Sequence, residues 1–424
     1  MKKIILILMI LLILAGCKTK PITQNFRIFS EDLMAVEKNG DWGYVNKQGE
    51  EVIEFKFDRA AAFYKDLAIV IFQGKANLIN KEGKLRFSMG FDTIYLDEET
   101  KLYIVVKQRK YGLLTTKGEI LVDLTYDRIK PFSNGLSMVV KNDKFGYMDS
   151  KGNIAIDLVY DEANVFSYGF APVKQGELWG YINTNDTVVV DFQYDYAYPV
   201  HKDLHAIVTT LDESRYIFQL IDMNNVKTIT NANFIKGDGP IYAVLKNSNN
   251  QLYKADGSLF LNTAYEGIEE VEGYYIGIIQ DQQLYQTYFK ASGEIIAQHQ
   301  KDSFFDTIRI NYVETTVMTY YDSSGLSVYY DNKTILLNAQ TITQVLPNDL
   351  YIVIRENKFG IINKDSEVIL NFEYESLVQG SDGYIIFREN SRYGVLNSKY
   401  QEVVSAIYDG VWPWVNISNL GQAQ

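Results

Sequence analysis

One cysteine in 424 residues leaves nothing from which to build a disulfide framework. Three histidines exclude a histidine-rich metal store. Proline is also scarce, seven residues where a chain of this length usually carries roughly twenty. With 47% hydrophobic residues and 14% aromatics, that scarcity excludes both a disordered and a collagen-like chain. Basic residues are outnumbered, 41 against 53 acidic, giving a net charge of −12. Such a balance argues against binding nucleic acid through its phosphates. The apolar run Ile4–Leu14 is only eleven residues, against the roughly twenty that a membrane-crossing helix needs. After residue 20 no segment sustains a helical apolar period with caps.

What is present begins at the N-terminus. Lys2 and Lys3 precede the apolar run in the manner of a secretory signal. The segment Leu14-Ala15-Gly16-Cys17 resembles the lipobox of bacterial lipoproteins. That resemblance implies cleavage before Cys17 and acylation of its sulfur and its new amino group, as with palmitate, and it accounts for the lone cysteine. Buried acyl chains, at about 0.8 kcal/mol per CH2, would hold the protein on a membrane. The expected layout is a signal peptide over 1–16 and a lipidated Cys17 with a short tether over 17–32. Lys18 stands where some lipoproteins carry an inner-membrane retention Asp, which favours the outer membrane of a cell envelope.

The rest is one repeat. An aromatic-Gly pair recurs as Trp42-Gly43, Tyr111-Gly112, Phe145-Gly146, Trp179-Gly180, Phe359-Gly360 and Tyr393-Gly394, commonly 34 residues apart. A degenerate middle threads through Phe218, Asn250, Gln286 and Leu326. Each unit reads as an apolar strand, a polar turn, the aromatic-Gly strand, a Gly turn such as Asp149-Ser150-Lys151-Gly152, and an alternating strand. A closing pair such as Tyr126-Asp127, Tyr160-Asp161 or Tyr194-Asp195 ends it. The expectation is an all-β array of about eleven antiparallel units of roughly 35 residues over 33–410. A superhelix or solenoid is favoured, because the units are shorter and more numerous than propeller blades usually are; one or two propeller-like rings are the alternative. Residues 211–330 hold the degenerate units, and 411–424, with Trp412-Pro413-Trp414, form a cap or tail.

Asp41-Trp42-Gly43-Tyr44-Val45-Asn46 and Leu178-Trp179-Gly180-Tyr181-Ile182-Asn183 resemble the WG repeats of bacterial proteins. The resemblance implies a β repeat scaffold and little chemistry of its own.

Dedicated chemistry is hard to find. The repeated aromatic could stack sugar rings, but a feature every unit needs is better read as packing, with Gly letting backbones approach. The closing Asp could ligate calcium; capping backbone amides is the simpler role. His201 and His205 sit where the pattern reads as a loop leading into a strand; within a strand their spacing would be about 13 Å, too far for one metal ion. Lys107-Gln108-Arg109-Lys110 occupies a repeat turn, and Gly237-Asp238-Gly239-Pro240 lacks a dinucleotide loop's third Gly. No Gly-x-Ser-x-Gly elbow or phosphate loop occurs. The sequence therefore points away from an enzyme and implies no cofactor, metal or nucleic acid. The expectation is a lipid-anchored envelope scaffold that binds a protein partner. A glycan-binding module using Tyr196, Tyr198, Trp412 and Trp414 is the alternative, and a hydrolase the more distant one.

Overall fold

A computed structural model describes residues 26–201 and 333–411 without interruption, and between them the strands with some of their connections. Cys17, the signal segment and Trp412-Pro413-Trp414 lie outside the described residues. Among those residues there are strands and no helix. They form eleven sheets in series, and within each sheet the strands that follow one another in the chain pair antiparallel. The expected all-β array of about eleven units is what the chain builds.

Nine sheets are four-stranded meanders. The fourth sheet in chain order shows why. Leu136–Lys141, apolar but for Ser137 and the terminal Lys, is buried along nearly all its length, as a strand covered on both faces is. Lys144–Asp149 carries the aromatic-Gly pair. Ile154–Tyr160 alternates exposed and buried residues as an edge strand does. A two-residue strand, Arg128–Ile129, completes the sheet on its other side. That short strand follows the Tyr126-Asp127 pair, so the sequence unit and the sheet are out of phase. The main-chain N–H of Asp127 already donates to the Val140 carbonyl of the fourth sheet. Tyr ends one sheet and Asp opens the next.

Contacts divide the chain into two compact units, one built on Ser30–Asn46 and Glu50–Phe304, the other on Lys47–Gly49, Phe305–Pro413 and the segment ending at Phe29. In the first, the core lies between consecutive sheets. Leu136, Met138, Tyr147 and Ile156 of the fourth sheet pack on Phe166, Ala171 and Val173 of the fifth (162–194). Trp179, Tyr181 and Val190 of the fifth pack on Ala197, Ala206 and Val208 of the sixth (196–232). No sheet buries both faces alone, so stability comes from stacking neighbours. In the second unit, Leu346, Ile352 and Ile361 pack in the same way on Leu377, Ile385 and Phe387.

Candidate functional site

Three sets of repeated side chains fasten one sheet to the next, and what they leave over marks the candidate surface. The aromatic-Gly pair comes first. Its aromatic is the Cα partner of the closing aromatic fifteen residues on: Trp42 with Phe57, Tyr111 with Tyr126, Phe145 with Tyr160, Trp179 with Tyr194, Phe359 with Tyr374 and Tyr393 with Tyr408. Between these rungs the fourth strand bulges. Gly180 faces three residues, 191–193, because the flanking rungs are Tyr181–Val190 and Trp179–Tyr194. The bulge drives a carbonyl against the Gly. A Cβ at Gly180 would lie 2.5 Å from the Val190 oxygen, and one at Gly146 or Gly112 would lie 2.6 Å from that of Ile156 or Val122. Gly43, Gly360 and Gly394 meet the same obstacle at 2.7–2.8 Å. The Gly is there for close backbone approach, and the aromatics sit in or against the inter-sheet core.

The closing Asp is second. Asp161 accepts from the Lys144 ammonium at 2.6 Å, within its own unit's strand pair, and from the Gly176 N–H at 2.7 Å, in the next sheet's hairpin. Asp92 does the same with Lys75 and the Gln108 N–H, both at 2.7 Å, and Asp127 with Lys110 and the Asn142 N–H. The paired lysine is the first cause holding each of these carboxyls below the usual range, and the backbone N–H is the second. This carboxylate is a cap, as the simpler reading has it, but it caps a hairpin fifteen or sixteen residues on. The basic stretch 107–110 is such a hairpin, with Gln108 and Arg109 both at positive φ.

A buried phenol is third. Tyr44, Tyr147 and Tyr181 donate to the carbonyls of Ala61, Asn164 and Tyr198, seventeen residues on in the following sheet, at 2.7–2.8 Å. Sequence reasoning passed over this contact, although the constant interval was there to be read.

His201 precedes the strand that His205 opens, as a loop leading into a strand requires. The His201 N–H donates to the His205 carbonyl at 2.8 Å, and the strand begins at His205. The 13 Å separation of an extended strand does not apply. Among the described residues no group of three His, Cys, Asp or Glu side chains gathers as a metal site would.

The short first strands line the joints between sheets, and their residues change from joint to joint. Opposite Tyr111, Phe145 and Trp179 stand Arg128 and Lys130, then Glu162 and Asn164, then Tyr196 and Tyr198. The first joint opens into a cleft of about 1020 Å³, lined by Tyr95, Glu98, Tyr111, Arg128, Ile129 and Lys130 among others. At the third, Tyr196 and Tyr198 are 38% and 39% exposed, with ring centroids 4.8 Å apart. Trp179, buried beneath them, lies 5.2 Å from Tyr196.

Five segments match the WG containing repeat: residues 42–75, 111–145, 145–179, 179–210 and 359–393. Each begins at an aromatic-Gly pair. No curated protein matches the chain in sequence. Among solved structures, the chain is similar to a eukaryotic initiation factor at 7% identity and a TM-score of 0.43, covering 90% of this chain and 97% of that one. It is also similar to BamB from Moraxella catarrhalis at 11% identity and a TM-score of 0.28, covering 73% and 94%. A third likeness is to Hsv2p from Kluyveromyces lactis, at 9% identity and a TM-score of 0.32, covering 57% and 97%.

Proposed function

We propose that this WG-repeat chain is a non-catalytic protein of the bacterial cell envelope, anchored through lipid on Cys17, whose repeat array binds a partner protein. One observation carries the reading. The recurrent polar and aromatic groups fasten sheet to sheet, while the residues lining the joints vary from repeat to repeat on a constant frame. A frame that repeats and a lining that does not is the arrangement of a recognition surface. The membrane address rests on the lipobox-like Leu14-Ala15-Gly16-Cys17, with the outer membrane favoured by Lys18.

The test is a crosslinked pull-down of tagged full-length protein from its native cells, wild type against Cys17→Ala. An abundant co-purifying protein that depends on Cys17 is the expected result. Fractionation of Cys17→Ala with membranes, just like the wild type, would remove the lipid anchor from the reading. Recovery of glycan without a protein would favour a second reading, which the paired, exposed Tyr196 and Tyr198 support: an aromatic platform for sugar rings. In that case Tyr196→Ala would lose the glycan.

A further inference from the structure

We propose that the cleft between the third sheet (93–126) and the fourth (128–160) binds an acidic segment of the partner protein that also carries an aromatic or apolar side chain. The inference rests on the scaffold reading and names the chemistry of what docks.

Charge is the first argument. In this chain of net charge −12, the lysine or arginine at the start of the aromatic-Gly strand is commonly tied to a closing Asp, as Lys75, Lys110, Lys144 and Arg392 are. Arg128 and Lys130 sit elsewhere, at the opening of the fourth sheet. Both are exposed, both line the cleft, and neither meets a carboxylate in an ion pair among the described residues. Two uncommitted cations on one lip suit a pair of carboxylates.

The opposite side is also specific. Asp97 and Glu99 border the cleft, but their oxygens are engaged by backbone N–H groups: Phe132 on Asp97 at 2.8 Å, and Asn134 on Glu99 at 3.0 Å. Glu98, exposed at the same cleft, disfavours an unbroken run of acids. The remaining wall is Tyr95 and Tyr111 with the apolar side chains of Ile104 and Ile129, which suits a ring or an aliphatic group. The segment that fits therefore alternates acids with apolar side chains.

The joint itself is built to differ. Where the fourth and fifth sheets carry Tyr147 and Tyr181 with their phenol contacts, the third sheet carries Leu113, which has no hydroxyl. The Lys130 carbonyl accepts instead from the Ser137 hydroxyl of its own sheet. This joint lacks the phenol fastening and holds the cleft.

The probe is a fluorescein-labelled peptide of alternating Glu and Phe, titrated by anisotropy with the full-length protein in detergent; a Gln-Phe peptide is the neutral control. The acidic peptide should bind about tenfold tighter than the Gln version, and Arg128→Gln with Lys130→Gln should weaken it by about tenfold. Rising salt should weaken it too. Both side chains are exposed, so the double variant should keep the wild-type melting midpoint, and Lys117→Gln, outside the cleft, should keep wild-type affinity. Equal binding by the double variant, or an equal loss in Lys117→Gln, overturns the proposal. Tighter, Arg128-dependent binding of a polyuronate would overturn it in favour of an acidic glycan. The two readings fail separately. A cellular partner retained by the double variant refutes the cleft and leaves the scaffold, whereas peptide binding without any cellular protein partner refutes the scaffold and leaves the cleft.

Discussion

Trp179-Gly180 and Phe218-Gln219 hold the same place in neighbouring sheets, and the backbone opposite them runs differently. Opposite Gly180 the fourth strand spends three residues, 191–193. Opposite Gln219 it places one, Asn231, and the rungs Leu220–Thr230, Gln219–Asn231 and Phe218–Ala232 are continuous. Two further degenerate sheets behave like the second case: Thr287 pairs directly with Gln298, and Ser327 with Leu336. Where the Gly is kept the strand bulges; in these three degenerate sheets, where it is replaced, the ladder closes. The Gly and the bulge opposite it thus go together, and a bulge shifts the register of the edge strand beyond it.

The strongest way to break that comparison is to put the Cβ back. Gly180→Ala would set a methyl 2.5 Å from the Val190 carbonyl oxygen, a contact only a backbone shift can relieve. The expected cost is about 2–3 kcal/mol, read as a lowered denaturant midpoint. A variant as stable as the wild type would show that the bulge yields cheaply and that the Gly is there for some other reason.

Removing a phenol should cost less. Tyr181→Phe keeps the ring in the core between the fifth and sixth sheets but leaves the Tyr198 carbonyl without its donor. About 1 kcal/mol is expected, and the same from Tyr147→Phe at the Asn164 carbonyl. The joint beside Leu113, which has no such contact, supplies the comparison: Leu113→Ile should register only as a packing change.

The period, the turns and the all-β class were legible in the sequence because each unit must solve the same packing problem with the same residues. Trp42-Gly43 and Trp179-Gly180 announced the strand that pairs with the bulged one in their sheets. The partner of each aromatic was not read, although fifteen residues separate Trp42 from Phe57 and Tyr393 from Tyr408 alike. Local patterning shows which residues alternate; a bulge changes the count between rungs, and alternation does not reveal it. The closing Asp looked like the end of a unit because its side chain is polar and its neighbour apolar. Its N–H belongs to the next sheet, a fact of hydrogen bonding that no spacing within one unit contains. The cleft at Arg128 and Lys130 escaped for a related reason: a cation is free only by comparison with cations that are paired across strands.

Acid should test the Asp caps as a set. Asp92, Asp127 and Asp161 have carboxyls held below their ordinary value, so their stabilising contribution is present above the unfolded value near about 3.9 and lost as pH falls through the folded ones. Midpoints measured from pH 6 downward should therefore drop below about pH 4. The triple Asn variant should start lower at pH 6 and fall less steeply. All three groups are well exposed, so the effect is modest and shrinks with salt. Identical acid limbs in the two proteins would assign acid sensitivity to other carboxylates.

The smallest effect sharpens the opening comparison from its other side. Gln219→Gly removes the Cβ that closes the ladder, yet it should not create a bulge. Only Asn231 lies between the rungs at Thr230 and Ala232, where the regular sheet has three residues, two of them to spare. The substitution should cost roughly 0.5–1 kcal/mol, the ordinary penalty for Gly within a strand. Amide exchange at Ala232 should stay slow, since its rung with Phe218 remains. If that amide instead became fast while stability rose, Gly alone would be enough to draw the strand into a bulge, and residue count would lose its share in setting register. The expected result assigns two requirements to the motif: a Gly to make room, and extra residues in the fourth strand to fill it.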